Sequence, residues 1–550
     1  MGFFGKYVSD LKREFKGYNA KTFSQDLMAG LTVAAVALPL ALAFGVSSGA
    51  DAAAGMITAI FAGVLIGTLS GASYQISGPT GAMSALLLPI AAQFGVKGVM
   101  MAGFLSGVLL LIAALLRMGK LVSFIPAPVI TGFTSGIAII IALGQIDNFF
   151  GTTSEGTTAV EKLLSYGHLG FHPNMTAVLF GLLVVAIMLI YPKKWQAVVP
   201  SSLVGIIVAL IVNLILNPDA AVVAEVGDIP RTLVSSNGLL VSGFDFSQVK
   251  TLLPVAISIA ALGMIESLLC GASAGKMTGE KMDSQRELVA QGIGNLLIPM
   301  FGGVPATAAI ARTSVAIKSG GHTRVVSLVQ SLTLVASMFL LGGVMSRIPL
   351  AALAGVLMVT AWRMNEWHEI RLFFRKRWWV AVAQFIVTMI STVIFDLTIA
   401  IVVGVIAALL FYVVNSYGLE VNTSRVDSAR LRDYGLKGNF ENESVVYIVG
   451  AVFFANQEQM LDAVRETEDG HEIILSMRGV PSMEICAAHA LAEEIAAAQA
   501  RNVTVKLCSV QERVMKQFLD AGVVDAVGRE NVYWDTLAIF RAESQEHEKA

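Results

Sequence analysis

Long apolar runs, separated by short polar stretches, fill the first three quarters of the chain. Between Leu27 and Ile146 the only Asp, Glu, Lys or Arg residues are Asp51, Lys97, Arg117 and Lys120. Such a stretch cannot build a water-exposed surface. A bilayer demands it, because each spanning helix needs roughly 20 apolar residues. Apolar segments fall near 27–49, 52–70, 77–92, 98–116, 124–146, 176–191, 198–216, 251–274, 288–302, 307–317, 325–345, 348–362, 378–395 and 397–416, which makes fourteen. From Tyr417 onward charge returns at ordinary density. The pattern predicts a cytoplasmic N-terminal segment 1–26, a membrane domain 27–416, a polar linker 417–434 and a cytosolic domain 435–550.

Basic residues test the count. With the N-terminus inside, each loop after an even-numbered segment should be basic. Those loops carry Arg117 and Lys120, then Lys193 and Lys194, Lys276, Lys281 and Arg286, Lys318 and Arg324, and finally Arg371, Arg375, Lys376 and Arg377. The other loops are poor in base, with Glu155, Glu161, Lys162, Asp219, Glu225, Asp228, Arg231 and Asp245; Lys97, Lys250 and Arg347 are scattered basic residues on that side. Both termini are therefore expected in the cytoplasm. The first 26 residues lack a cleavable apolar core. Phe4, Tyr7, Leu11 and Phe15 share one helical face among Lys6, Lys12, Arg13 and Lys16, which fits a short helix on the membrane surface or an ordinary polar leader.

Segments 77–92 and 307–317 are too short to cross. The first begins Ser77-Gly78-Pro79-Thr80-Gly81-Ala82; the second follows Gly302-Gly303-Val304-Pro305-Ala306-Thr307. They are third and tenth in order, the third member of each seven-segment half, with Pro79 and Pro305 lying 226 positions apart. Seven is odd, so the second half must run inverted to the first. Broken helices at matched places in inverted halves point to a transporter binding site. A half-helix N-terminus leaves backbone N–H groups unpaired and carries roughly half a positive charge, so two such tips meeting at mid-membrane favour an anion.

Composition narrows the chemistry. Charged residues are 14% and hydrophobic residues 55%, with a mean hydropathy of +0.70, against about 25% charged in soluble domains. A formal net charge of −2 gives no reason to expect nucleic acid, and three cysteines without ligand spacing give none to expect a metal or other cofactor. There is no nucleophile–base spacing and no phosphate-cradling Gly-Lys-Ser/Thr loop, so the chain does not read as an enzyme. None of the seven histidines lies in an expected span. Two intramembrane charges stand out. Arg312 follows Pro305 within a few turns and either adds charge to the anion site or snorkels to the cytoplasmic edge. Glu266 is the only charge between Lys250 and Lys276; it is a candidate for carrying a coupling proton, or a structural partner of Arg312. Thr80 offers a hydroxyl, or only caps its helix.

The tail reads α/β. Ser444–Ala455, Glu472–Ser476 and Val503–Cys508 are β-rich, and stretches 456–467, 484–499 and 511–520 between and after them are amphipathic at helical period.

Gln291-Gly292-Ile293-Gly294-Asn295, Gly302 to Thr307, Ala311-Arg312-Thr313, Ser77-Gly78-Pro79-Thr80 and Ile265-Glu266-Ser267-Leu268-Leu269 together resemble the SulP family of anion transporters. The likeness runs nearly the whole chain, and the tail resembles the STAS domain that closes SulP chains. The resemblance implies a seven-plus-seven inverted repeat with core and gate domains, commonly a homodimer. It implies an anion site lined by Leu40 and Phe44, by Thr80 and Gly81, and by Ala309, Ile310, Ala311 and Arg312, with Glu266 as the coupling carboxylate. Leu40 stands where sulfate-type members carry Gln. Ile310 stands where sodium-coupled bicarbonate members carry a hydroxyl, which leans the expectation to protons. The stretch Glu484-Ile485-Cys486-Ala487 keeps no hydroxyl at the place phosphorylated in related anti-sigma antagonists. The expected function is proton-coupled symport of a small anion, a C4-dicarboxylate, sulfate or bicarbonate, in a bacterial inner membrane. The overall likeness leans to dicarboxylate carriers. Exchange, an uncoupled channel, and sodium-coupled bicarbonate transport are the alternatives.

Overall fold

The computed structural model describes residues 3–119, 126–156, 159–192, 199–216, 220–226, 232–395, 403–404, 406–407, 409–411, 418–433, 435–436, 440 and 442–549. Lys120, Lys193, Lys194, Asp219, Asp228, Arg231, most of segment 397–416, the Tyr417 boundary and the side chains of Phe4 and Lys6 lie outside the described residues. The chain divides into two compact units, residues 1–408 and 409–550.

The first unit is helical. Helix α1 (Phe3–Glu14) precedes α2 (Ala20–Ser47), which starts where the Asn19 side chain accepts from the amides of Lys21 and Thr22. Helix α3 (Ala52–Leu69) is capped by Asp51, whose carboxylate accepts from the Ala54 amide at 2.7 Å. Strand β1 (Ser77–Gly78) leads into α4 (Gly81–Leu115), two helices joined across Gly95. Gly95 has φ +68°, a conformation costly for a residue with a Cβ, and it sits in the gap the sequence leaves between segments 77–92 and 98–116. Helices α5 (Ala127–Gly144), α6 (Ala159–Leu169), α7 (Met175–Ile190) and α8 (Ser201–Leu216) complete the first half.

The second half repeats the scheme: α9 (Val249–Thr278), α10 (Ser284–Phe301), β2 (Thr307–Ala308), α11 (Ile310–Lys318), α12 (Val325–Met345), α13 (Leu350–Met364), α14 (Trp367–Arg375) and α15 (Trp379–Ile394). Among the described residues six helices are long and apolar enough to cross a membrane: α2, α3, α4, α5 with its short extension to Phe150, α9 and α12. Contacts sort the helices into two groups. Helices α2, α3, α4, α9, α10, α11 and α12 pack on one another, and α5, α7, α8, α13 and α15 form the second group. Small residues permit the close approaches: a Cβ on Gly107 would stand 2.3 Å from the Leu296 amide nitrogen, and one on Gly132 2.5 Å from the Phe385 carbonyl.

Helix α1 docks on protein through the side that carries Tyr7, Asp10 and Glu14. Arg286 pairs with Asp10 at 2.5 Å and Arg324 with Glu14 at 2.8 Å. The Tyr7 ring lies 5.8 Å from the Arg286 guanidinium and 5.7 Å from that of Arg324. Asp26 secures the start of α12, accepting from the His322 amide at 2.7 Å and the Thr323 hydroxyl at 2.5 Å.

The second unit is a five-stranded sheet in the order β3 (Glu420–Arg425), β4 (Glu443–Val449), β5 (Glu472–Gly479), β6 (Thr504–Cys508), β7 (Val532–Tyr533). Strand β3 is antiparallel to β4 and the remaining pairs are parallel. Helices α16 (Glu458–Arg465), α17 (Ile485–Ala500) and α18 (Glu512–Asp520) bury Leu461, Ile495 and Phe518 against it, and α19 (Thr536–Lys549) brings Ile539 and Phe540 to a second cluster. The expected polar linker therefore carries an edge strand, which its alternating polar residues hid. The expected strands and helices of the tail appear at the anticipated places; β3, β7 and α19 are additions.

Candidate functional site

The two broken helices meet. Strands β1 and β2 pair antiparallel, Ser77 opposite Ala308 and Gly78 opposite Thr307. The Ala309 amide extends the pairing by donating to the Ile76 carbonyl at 2.9 Å, and the Thr313 hydroxyl accepts from the Ile76 amide at 3.0 Å. Antiparallel strands send their following helices in opposite directions. The N-termini of α4 and α11 thus start from one crossing. Within α4 the Thr80 hydroxyl takes only the Met83 amide, at 3.4 Å; the amides of a first helical turn otherwise remain available to a ligand.

Glu266, half-buried on α9, bridges the crossing. Its Oε2 accepts from the Thr80 hydroxyl at 2.9 Å and from the Thr307 hydroxyl at 2.7 Å, one from each half. The neighbouring Ser267 hydroxyl accepts from the Ala308 amide at 3.2 Å. Arg312 is 1% exposed; its Nη2 donates to the Pro79 carbonyl at 2.7 Å, and Nη1 is buried without a partner. A Cβ on Gly78 would stand 2.6 Å from that Nη1. Arg312 thus braces the first broken strand, inside the crossing. It neither snorkels nor forms an ion pair with Glu266.

Phe44 and Gly81 lie side by side: a Cβ on Gly81 would meet the Phe44 ring at 3.2 Å and the Ile141 methyl at 2.4 Å. The Ser84 hydroxyl donates to the Phe44 carbonyl at 3.0 Å. Leu40 lies buried in the same apolar cluster. Around the start of α11, Ala309 is half-buried while Ile310 and Ala311 are exposed, turned opposite to Arg312. Sequence reasoning missed Thr307 and Ser267. Thr307 was legible: it follows Pro305 by two positions as Thr80 follows Pro79 by one, and matching the halves would have exposed the pair.

A cavity of about 300 Å³ reaches from Gly81 and Ser84 to Gln145 and Lys162, between the two helix groups. Among the described residues its polar lining is serine, glutamine and one lysine, Lys162, whose Nζ lies 3.8 Å from an Asp147 carboxylate oxygen.

The matching family models fall one within each of the two units. The model of the sulfate permease family matches residues 23–391, and that of the STAS domain matches residues 437–537. A putative sulfate transporter of Bacillus subtilis is 32% identical, over 94% of this chain and 97% of its own. A bicarbonate transporter of Picosynechococcus is 32% identical, over 70% of this chain and 69% of its own. Among solved structures, murine Solute Carrier 26 family member A9, an anion transporter, superposes with a TM-score of 0.80 at 18% identity, covering 95% of this chain and 91% of that one. The transmembrane domain of a cyanobacterial bicarbonate transporter gives 0.61 at 28% identity, covering 71% and 98%.

Proposed function

The chain belongs to the sulfate permease family, and from that premise we propose that it is a secondary active transporter that takes up a small anion together with a proton. Membership makes it an anion transporter rather than an enzyme. The single observation that carries the finer reading is Glu266 held by a threonine from each half of the crossing. A solute anion at the two helix tips and a negative carboxylate beside them repel one another in a low-dielectric setting. A proton on Glu266 removes that repulsion and leaves two hydroxyls free to turn to the solute. Substrate and proton are then bound together or not at all. Sulfate and bicarbonate are the first candidates because relatives carry those names; a C4-dicarboxylate such as succinate is the third. Basic residues on alternate loops support both termini in the cytoplasm of a bacterial inner membrane. Function as a homodimer is carried by family resemblance alone.

The test is uptake of labelled sulfate, bicarbonate and succinate into proteoliposomes, with an inward proton gradient, an inward sodium gradient, or neither. The expected result is uptake of at least one anion accelerated by the proton gradient, with Glu266→Gln indifferent to it. Uptake that ignores the proton gradient in the unaltered protein sinks the proposal. One observation favours a second reading, sodium coupling. The Glu266 carboxylate and the Thr80 and Thr307 hydroxyls gather three oxygen-bearing side chains, the ligand chemistry of a hard cation. Acceleration by sodium alone selects that reading.

A further inference from the structure

One face of α10 carries Glu287, Gln291 and Asn295 at intervals of four, so they stand in a row on one helix face. Their exposures are 0%, 0% and 1%. Burying polar groups is costly unless they are bonded; the Oε1 atoms of Gln291 and of its neighbour Gln75 are buried without a partner, while the remaining polar atoms hold the lead-ins of both broken helices. Asn295 donates to the Ala306 carbonyl at 2.9 Å and accepts from the Ala306 amide at 2.7 Å, one residue before β2. Gln291 donates to the Ser77 hydroxyl in β1 at 3.1 Å and to Glu287 Oε1 at 2.9 Å. Glu287 Oε1 also accepts from Gln75 at 3.0 Å, while Oε2 accepts from the Ser70 hydroxyl at 2.5 Å and the Gly71 amide at 3.0 Å. The same Gln75 nitrogen donates to the Ser267 carbonyl at 3.1 Å, one residue from Glu266.

We propose that Glu287 is a positioning residue for the anion site. Acting through Gln75 and Gln291, it fixes β1 against β2 and so sets the separation of the two helix tips; it touches no solute itself. The proposal rests on the reading of that crossing as the anion site. Its logic is a count of donors and acceptors. Four donors converge on Glu287, two on each oxygen. A glutamine there has one oxygen, so its own NH₂ must face either the Ser70 and Gly71 pair or the Gln75 and Gln291 pair. Either orientation breaks two of the four bonds, and where the NH₂ faces Gln75 and Gln291 their unpartnered Oε1 atoms can accept from it only by turning their own NH₂ groups off the Ser267 carbonyl and the Ser77 hydroxyl, which again releases the row.

The test compares full-length protein, Glu287→Gln, and Asn213→Leu as a control for lost stability. Asn213 is buried in the second helix group and donates to the Arg347 carbonyl at 2.9 Å. Hydrogen exchange is read on peptides covering residues 76–81, 306–312 and 325–345, and Kd is measured for labelled sulfate and bicarbonate. In Glu287→Gln, faster exchange is expected in the first two peptides and not in the third, with Kd raised about tenfold for whichever anion the unaltered protein holds, the scale of losing one hydrogen bond to a charged group. Asn213→Leu is expected to lower the melting temperature while leaving Kd within about twofold, since separate sites act nearly independently. Unchanged exchange at 76–81 and 306–312, or a rise in Kd no larger than the control's, overturns the proposal. If the unaltered protein binds neither anion, that outcome counts against the anion-site reading, and the exchange measurement still decides whether Glu287 positions the strands.

Discussion

A buried guanidinium set against a glycine shows how closely this site is fitted. Arg312 donates to the Pro79 carbonyl, and its free nitrogen lies where a side chain at position 78 would begin. Gly78→Ala must therefore push a charged, buried group aside. Overpacking of this kind costs about 1–3 kcal/mol. The expected outcome is a lower melting temperature in detergent together with weakened anion uptake; unchanged values for both would mean that the guanidinium has room to yield. Arg312, Glu266, Thr80 and Gly81 were all legible in sequence, because charge or Gly/Pro punctuation inside an apolar run is conspicuous. Thr307 carries no such contrast on its own and is legible only when the two halves are matched, Pro79-Thr80 against Pro305-Ala306-Thr307. The direction of the Arg312 side chain was also hidden: spacing places a residue on a helix but leaves open whether its long side chain turns to the solute or back into the crossing.

At the scale of elements, α1 makes a contact that the sequence pattern did not show. An amphipathic run with scattered lysines fits a helix on lipid or a polar leader; its acidic residues also tie it to protein. Asp10 and Glu14, one turn apart, reach Arg286 and Arg324 at the starts of α10 and α12. The Arg324 and Glu14 side chains are only 5% and 9% exposed. Removing one partner of such a buried pair strands the other, at a cost of about 3 kcal/mol. Glu14→Gln is expected to lower the thermal midpoint by several degrees. Adding Arg324→Met should restore much of the loss, because no unpaired charge then remains. A double-mutant cycle with no coupling would show that α1 rests loosely on the surface. Sequence could not supply this contact, since partners more than 270 positions apart leave no local periodicity. Strand β3 was missed for a different reason: an edge strand need bury little, and most of Glu420–Arg425 is exposed.

On the scale of the whole molecule, the two units obey different electrostatics. In the second unit Glu443, Glu472 and Glu543 gather around a single cation, Lys506, which bonds to Glu472 and Glu543. Burial first, then repulsion from Glu543 and Glu472, pushes the Glu443 carboxyl up to about 8; burial raises Glu472 to about 7. Both ordinarily titrate near 4.5. The folded unit therefore binds more protons than the unfolded chain between those limits, and its stability falls as pH rises from about 4.5 to about 8. The contribution is complete below the lower limit and gone above the upper one. Melting of the full-length protein followed from pH 5 to pH 9 is expected to show the second unit's transition moving down. Glu443→Gln should flatten that slope and raise the midpoint at about pH 8; a flat profile in the unaltered protein would mean that the cluster carries no shared proton. The two-part organisation was legible because charge density changes so sharply. This cluster was not, since its members come from β4, β5, β6 and α19.

The brief pairing of Ser77–Gly78 with Thr307–Ala308 carries a mechanical consequence. Prying those strands apart would bare peptide groups with no water to receive them. On the proposed reading of the crossing as the anion site, the pairing disfavours either half swinging open alone. Admission and discharge along the seam with the other helix group, the loaded block sliding whole like a drawer in its cabinet, is the motion it favours.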